Sequence, residues 1–308
     1  MRCKWVCLSA VLLVMAAMVT VYAVLTSYDY NKLKPRMARM VKDVTGRELR
    51  LGGAVDLTIG FSPRLVVRDA VLANAPWGSQ PQMIQADTLE ATVQLLPLLM
   101  GEVVVTYVGL SGVDMLLETD ADGKGNWNFA ADRPSEMGDG KFKSLKIDVD
   151  RIRIEDLHLT YRRGRTDVAT HYTIERFAAA RQESLDRLTV DLQARYNEIP
   201  VAFSGQTGGI QALRAHERFP LDLSGTVSRA KVEIAGAIDD IFTLRGIALK
   251  THVSGTDLAA LGIDKTIPLP ETSAFDAAGF LKGSKASMAL EDLTGNFSDH
   301  RQVLAATL

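Results

Sequence analysis

The sequence predicts a mainly β protein that follows an N-terminal transmembrane helix. Two observations support this fold class. An uncharged apolar stretch occupies the start of the chain, and after Gly46 apolar residues recur at every second position, which is the period of a strand with one buried face. Roughly fifteen such segments follow, separated by turns that contain Gly, Asp, Asn or Pro.

The composition excludes several classes of protein. Of the 308 residues, 47% are hydrophobic and 23% are charged, which is typical of a globular chain with a real core. The formal net charge of −2 provides no basic field, so nucleic-acid binding is excluded. Cys3 and Cys7 are the only cysteines, so the body of the protein needs no disulfide framework.

The apolar stretch runs from Val6 to Leu25 without a charged residue. A helix of this length would be about 30 Å long, which matches the hydrocarbon core of a bilayer. The alternative is a cleaved signal peptide with Val21-Tyr22-Ala23 as its cleavage site, but the apolar run is long for such a peptide and continues past Ala23. The predicted membrane-anchor residues are Val6, Leu12, Leu13, Val14, Met18, Val21 and Leu25.

A short amphipathic helix is predicted after the anchor. Apolar residues recur at helical spacing from Leu33 to Val44, Pro35 suits the first turn, and Gly46 can end the helix. Residues 29–50 also hold seven basic and three acidic residues. The helix either covers the end of the following sheet or lies on anionic lipid headgroups, and the sequence allows both.

Several later segments show the alternation of a strand with one dry and one wet face. Their apolar positions are Leu57, Ile59 and Phe61; Leu89, Ala91, Val93 and Leu95; Leu188, Val190, Leu192, Ala194 and Tyr196; Phe219, Leu221, Leu223 and Val227; and Val232, Ile234 and Ile238. Within residues 145–161 the phase of the alternation changes twice, which predicts β-bulges or tight turns. Short helices are predicted at Gln94–Met100 and Thr256–Gly262.

Two nonapeptides in the β-rich part are similar to each other. Arg64–Leu72 reads RLVVRDAVL and Arg151–Leu159 reads RIRIEDLHL, and both have Asp at the sixth place. The similarity fits the serial addition of similar hairpins.

No arrangement of residues indicates a catalytic site, so we predict that the protein is not an enzyme and has no cofactor or bound metal. The five histidines are scattered along the chain without metal-ligand spacing. The segment from Asp120 to Asn126 is similar to the start of a calcium loop. However, Lys124 and Ala131 stand where an EF-hand needs oxygen ligands, which favours a hairpin turn.

The chain divides into four predicted regions. These are the anchor at 1–27, a β region with the amphipathic helix at 28–130, a polar linker at 131–143, and a second β-rich region at 144–308. Only a few residues follow the strand that begins at Asn296-Phe297, so we expect the sequence to be incomplete at its C-terminus.

Four segments of the chain resemble the N-terminal region of the AsmA family. In order, they read YDYNKLKPRMARMVKDVTGREL, DLTIGFSPRLVVRDAVLANAPWGSQPQM, VQLLPLLMGEVVV and LLETDADGKGNWNF, and together they lie within residues 28–129. The later segment VSGTDLAALG, with IPLP nearby, is similar to another element of the family.

The resemblance implies an inner-membrane protein with one N-terminal anchor and a periplasmic body. It also implies an elongated, curled antiparallel β-sheet with an apolar inner groove, a relation to bridge-like lipid transfer proteins, and a link to outer-membrane lipid homeostasis. The positive charges favour the opposite orientation, because Arg2 and Lys4 precede the anchor and more basic residues follow it. We give the resemblance more weight than this count.

We therefore predict a protein that binds or conveys phospholipid in an apolar groove. The candidate groove residues are the apolar residues of three strand segments: Leu188, Val190, Leu192, Phe219, Leu221, Leu223, Val232 and Ile234. The expected partners are phospholipid, the inner membrane, and outer-membrane or envelope proteins. The alternative function is a non-enzymatic assembly or scaffold factor for outer-membrane proteins, whose sheet edge would bind protein partners.

Overall fold

The computed structural model describes residues 29–100, 102–129, 144–164, 169–182, 186–257, 273–284, 287–297 and 300–303. A 3₁₀ turn at Tyr30–Leu33 leads into helix α1, Lys34–Thr45. Two shorter helices follow, α2 at Leu95–Leu99 and α3 at Ile210–Ala215. The predicted anchor Val6–Leu25, the polar linker and most of Thr256–Gly262 lie outside the described residues.

The rest of the described chain is β-structure. The strands are β1 Leu49–Leu51, β2 Val55–Thr58, β3 Arg64–Ala73, β4 Gln82–Val93, β5 Glu102–Glu118, β6 Ser144–Arg162, β7 Ala169–Arg181, β8 Arg187–Tyr196, β9 Ile199–Gly208, β10 Phe219–Val227, β11 Ala230–Asp240, β12 Arg245–Gly255, β13 Phe275–Ser284, β14 Ser287–Phe297 and β15 His300–Val303. The predicted strand around Leu57 is shorter than expected, because β2 ends at Thr58 and Phe61 lies in the loop that follows.

All these strands form one long, curled sheet, which confirms the prediction of a mainly β fold. From β3 to β15, each strand pairs with the next one in sequence, and β1 and β2 both pair with β3. The pairs are antiparallel except β5–β6, which is parallel, so the prediction of an antiparallel sheet is wrong at this one pair. For two consecutive strands to be parallel, the chain must return to the end of the sheet at which the first strand began. Residues 119–143, between β5 and β6, are long enough for this return.

A line of irregular residues crosses five neighbouring strands of the sheet. Asp69, Asp87, Gly112, Asp156 and Glu175 each stand between paired residues of their strand, and each is opposite the next. Asp69, Gly112 and Asp156 have φ values of 51°, 59° and 55°, in the left-handed region that Gly and Asp tolerate better than other residues. We call these five residues the kink line.

The kink line keeps the apolar side chains on one face of the sheet. Ile154 and Leu157 differ in parity, yet both belong to one apolar cluster, because Asp156 takes up the extra position between them. Both phase changes within residues 145–161 are irregularities inside the single strand β6, as predicted: one is a register shift against β5 and the other is Asp156.

Each of the two similar nonapeptides contributes one residue to the kink line. Their shared Asp at the sixth place is Asp69 in Arg64–Leu72 and Asp156 in Arg151–Leu159, and both have positive φ. The similarity therefore reflects a common backbone requirement at one place in each strand.

Helix α1 packs on the first strands of the sheet. Met37, together with Tyr30, contacts a buried cluster formed by Val55, Val67 and Ala70. The helix ends as predicted, with Gly46 at φ 70° and its N–H donating to the carbonyl of Lys42 at 2.8 Å. This supports the interpretation in which the helix covers the end of the sheet. Met40 and Val44 remain about half exposed, at 49% and 50%.

A buried polar network joins the two loops that follow strands β3 and β5. Asn126 is fully buried, and its amide donates to Oδ1 of Asn74 at 2.9 Å and to the carbonyl of Leu116 at 2.8 Å. Asn74 in turn donates to Oε1 of Glu118 at 2.7 Å. These residues come from two of the segments that resemble the AsmA family, and the network ties the segments together.

Candidate functional site

The eight predicted groove residues lie on one face of the sheet. Side chains that pair directly across neighbouring strands share a face. Leu192 pairs with Phe203, Leu223 pairs with Ile234, and Gly205 pairs with both Val190 and Leu223. Extending this register places Leu188, Phe219, Leu221 and Val232 on the same side. We call this side, which also carries Val113 and Leu157 across the kink line, the apolar face.

The apolar face is only partly covered. Leu188, Phe219 and Val232 are buried, whereas the other five predicted groove residues are half-buried. Leu188 is covered because helix α3 places Ile210 against it and against Val149. The described strands form a single sheet, so no second sheet closes over the half-buried residues.

The structure adds residues to the apolar face that the prediction did not include. Strands β7, β9, β12 and β13 contribute large apolar side chains in register with the predicted ones: Phe177, Phe203, Ile247, Leu249 and Leu281. A signal existed for some of them, since Ile247, Leu249 and Val253 occupy odd positions and Lys250 and His252 lie at even ones. In β7 the alternation changes phase at Glu175, so the sequence did not indicate that Phe177 lies on the apolar face.

Two opposite rims border the apolar face. The α2 rim consists of residues 59–63, helices α2 and α3, and residues 241–244; the Trp127 rim consists of residues 74–81, 119–129, 197–198 and 228–229. Aromatic rings gather near the Trp127 rim, where Tyr172 and Tyr196 have centroids 5.3 Å apart and Trp127 lies 6.2 Å from Tyr161. Partial burial is the main cause that raises the pKa of Tyr172.

The opposite face of the sheet is charged and carries cross-strand ion pairs. Arg195 Nε lies 2.7 Å from Oε1 of Glu175, and Arg64 pairs with Glu90. His252 bridges two strands, with Nε2 at 2.9 Å from Asp276 and Nδ1 at 3.5 Å from Glu233. Chiefly through the bond to Asp276, the pKa of His252 is raised above its ordinary value. The two faces therefore differ sharply in polarity.

The described residues contain no group of three His, Cys, Asp or Glu side chains that could hold a metal ion. The segment from Asp120 to Asn126 is a hairpin turn, as predicted. The carboxylate of Asp120 accepts hydrogen bonds from the backbone N–H groups of Asp122 at 3.0 Å and Lys124 at 2.8 Å. Asp120 thus serves the backbone of its own turn.

The predicted anchor residues, Val6, Leu12, Leu13, Val14, Met18, Val21 and Leu25, are not among the described residues. Within the described ranges, no helix has the length and hydrophobicity needed to span a bilayer. The anchor therefore stays a prediction.

Comparison with known proteins agrees with the resemblance seen in the sequence. The model of the AsmA family matches residues 2–248. The chain is also 24% identical over 289 residues to the AsmA family protein YhjG of Escherichia coli (strain K12). That alignment covers 83% of this chain and 42% of the relative, so the chain spans less than half the length of the protein it matches. Since the family match extends over most of the sequence, the chain belongs to the AsmA family.

Proposed function

We propose that the apolar face binds the acyl chains of phospholipid. In this proposal Val6–Leu25 anchors the protein in the inner membrane, the body lies in the periplasm, and the protein conveys phospholipid in support of outer-membrane lipid homeostasis without acting as an enzyme. The observation that carries the proposal is the continuity of the apolar face. Every strand from β6 to β13 contributes apolar side chains to it, and many of these stay half-buried.

A large, partly exposed apolar surface is unfavourable in water, and monomeric proteins rarely leave one unoccupied. An acyl chain suits this surface because each buried methylene contributes about 0.8 kcal/mol. From β6 to β13 the strands, spaced at about 4.8 Å, give a trough about 35 Å long. The charged headgroup would remain outside, near the rims.

The shape of the sheet supports the same proposal. Val108 of β5, Ile152 of β6 and Val190 of β8 all pack against one buried cluster, which Val149 and Leu188 form with Ile210 of helix α3. Such convergence of strands that are not neighbours is expected on the concave side of a curled sheet. The apolar face would then be the inside of a trough.

Photo-crosslinking in the full-length membrane-bound protein tests the proposal. A benzophenone amino acid is placed at Leu192 or Leu223, on the apolar face. The matched controls are Gln193 and Ser224, the exposed next residues on the same strands, which point to the opposite face. Adducts are identified by mass spectrometry. We expect phospholipid adducts at Leu192 and Leu223 and about tenfold fewer at the control positions.

Equal adduct yields on the two faces, or no lipid adduct at Leu192 and Leu223, would refute lipid binding. Protein adducts without lipid would favour the alternative function, in which the sheet is an assembly or scaffold factor for outer-membrane proteins.

A further inference from the structure

Three large apolar side chains are strongly exposed where the α2 rim borders the first strands. Phe61 is 96% exposed in the loop between β2 and β3, and Leu96 and Met100 are 74% and 67% exposed at helix α2. The two segments lie side by side, because the N–H of Val93 donates to the carbonyl of Pro63 at 2.9 Å. Together Phe61, Leu96 and Met100 form what we call the rim patch.

The rim patch lies near the start of the described chain. Asp29 lines a surface cleft of about 670 Å³ together with Thr58 and Arg64. Thr58 and Arg64 pair with each other and close the loop that carries Phe61 at its tip. The beginning of the body and the rim patch therefore share one end of the first strands.

The sequence limits how far this end can be from the apolar stretch. Leu25, the last residue of the apolar stretch, precedes Asp29 by four residues, and four residues span at most about 14 Å when fully extended. This step rests on the proposed function, in which Val6–Leu25 crosses the inner membrane. If it does, the rim patch must lie close to the surface of that membrane.

The chemistry of this end suits a bilayer interface. Exposed Phe, Leu and Met side chains enter the boundary between headgroups and acyl chains. At the beginning of the body, the basic residues Lys32, Lys34 and Arg36 follow Asp29 within two turns, and they complement anionic headgroups. A lipid bilayer is therefore a partner that matches both the apolar side chains of the rim patch and the positive charge next to it.

We propose that the rim patch inserts into the inner membrane, in which Val6–Leu25 anchors the chain, from the periplasmic side. The first strands then contact the bilayer through the rim patch, residues 241–244 stay off the membrane farther along the same rim, and the apolar face begins next to lipid acyl chains. Phospholipid would enter the trough at this end.

Depth-dependent fluorescence quenching tests the insertion. The full-length protein, with Cys3→Ser and Cys7→Ser, receives a single cysteine by Phe61→Cys or Leu96→Cys, is labelled with NBD, and is reconstituted into vesicles of anionic and zwitterionic phospholipid. The matched control is Phe242→Cys, because Phe242 is 66% exposed on the same rim but lies between β11 and β12, far along the sheet. Spin-labelled phospholipid should quench NBD about threefold at positions 61 and 96 and only slightly at 242.

Quenching at positions 61 and 96 that is no stronger than at 242 would overturn the inference. The crosslinks at Leu192, measured in the same vesicles, separate this result from the proposed function. Lipid adducts at Leu192 without quenching at 96 would refute the insertion alone. Quenching at 96 without such adducts would support the insertion and refute lipid binding on the apolar face. Extraction of the whole protein by alkaline carbonate would refute the anchor and, with it, the insertion.

Discussion

The strands β3–β7 and the strands β8–β12 reach the same result by different means. Both groups carry one apolar face on a curled sheet. In β3–β7 each strand contains one extra residue on the kink line, so its alternation changes phase. In β8–β12 the alternation keeps one phase except at the joined ends of β11 and β12, where Asp239 and Gly246 are left out of the pairing. Glycines stand at apolar-face positions of β9–β12 instead: Gly205, Gly225, Gly236 and Gly255.

The glycines of the second group allow close approach of neighbouring strands. Gly205 and Gly236 both have φ 150°, and a Cβ at these positions would lie 2.1 Å from the carbonyl oxygen of Asp222 and 2.2 Å from that of Ala248. A strand can thus be bent by adding a residue or by omitting a side chain. The first route alters the hydrophobic pattern, and the second preserves it.

The largest expected effect is at a glycine of β8–β12. The substitution Gly236→Ala should lower the free energy of unfolding by about 3 kcal/mol, because the new Cβ meets the backbone of the neighbouring strand, which cannot move aside without breaking the ladder. Urea unfolding of the full-length protein in detergent measures this change. Gly60→Ala is the control, since nothing lies within 4 Å of its Cβ position. Equal stability of the two variants would contradict the glycine mechanism.

A smaller loss is expected at the glycine of the kink line. Gly112→Ala should cost about 1–2 kcal/mol, mainly from the left-handed backbone. The carboxyl group of Asp87, which lies nearest the new Cβ, can rotate away, and Asp87 Cβ at 2.9 Å needs only a small shift. Gly123→Ala provides the comparison, with φ 81° and open space around it. If Gly112→Ala costs far more than Gly123→Ala in urea unfolding, then Asp87 is fixed and the kink line is more rigid than we infer.

An opposite sign is expected when an aspartate of the kink line becomes glycine. Asp156→Gly should be neutral or stabilising by about 0.5 kcal/mol, because glycine adopts positive φ without strain. Asp191→Gly, in the regular strand β8, should instead destabilise by about 0.5–1 kcal/mol. The two variants are compared by thermal unfolding at one pH. A loss at Asp156 as large as that at Asp191 would mean that the Asp156 side chain, which lies 3.1 Å from His158, matters more than its backbone.

The smallest effect concerns His252, on the charged face of β12. Its pKa is raised from the ordinary value of 6.5, so its bond to Asp276 stabilises the fold fully below that value, and the stabilisation is lost as the pH rises through the raised pKa. His252→Gln should therefore lower the melting temperature more at about pH 5.5 than at about pH 8.5. In the Asp276→Asn background this difference should shrink; an unchanged difference would assign the effect to another group.

The difference between these two groups of strands also explains which residues of the apolar face could be predicted from the sequence. Leu188, Val190 and Leu192 alternate with polar residues in an uninterrupted strand, so their shared face follows from the sequence. Phe177 could not be placed in the same way, because Glu175 shifts the phase of β7. The phase changes in β6 were visible, but the number of residues that leave the pairing depends on the neighbouring strands.

The sequence by itself determined the mainly β fold, the helix that ends at Gly46, the hairpin turn at Asp120 and the family, because each depends on local conformation or on recurring residues. The tertiary structure alone decided that β5 and β6 are parallel, that Asp69 and Asp156 share one line, and that Phe61 stands exposed beside Leu96. These features arise between segments far apart in the chain. Their geometry is set by strand register and packing, which no single segment encodes.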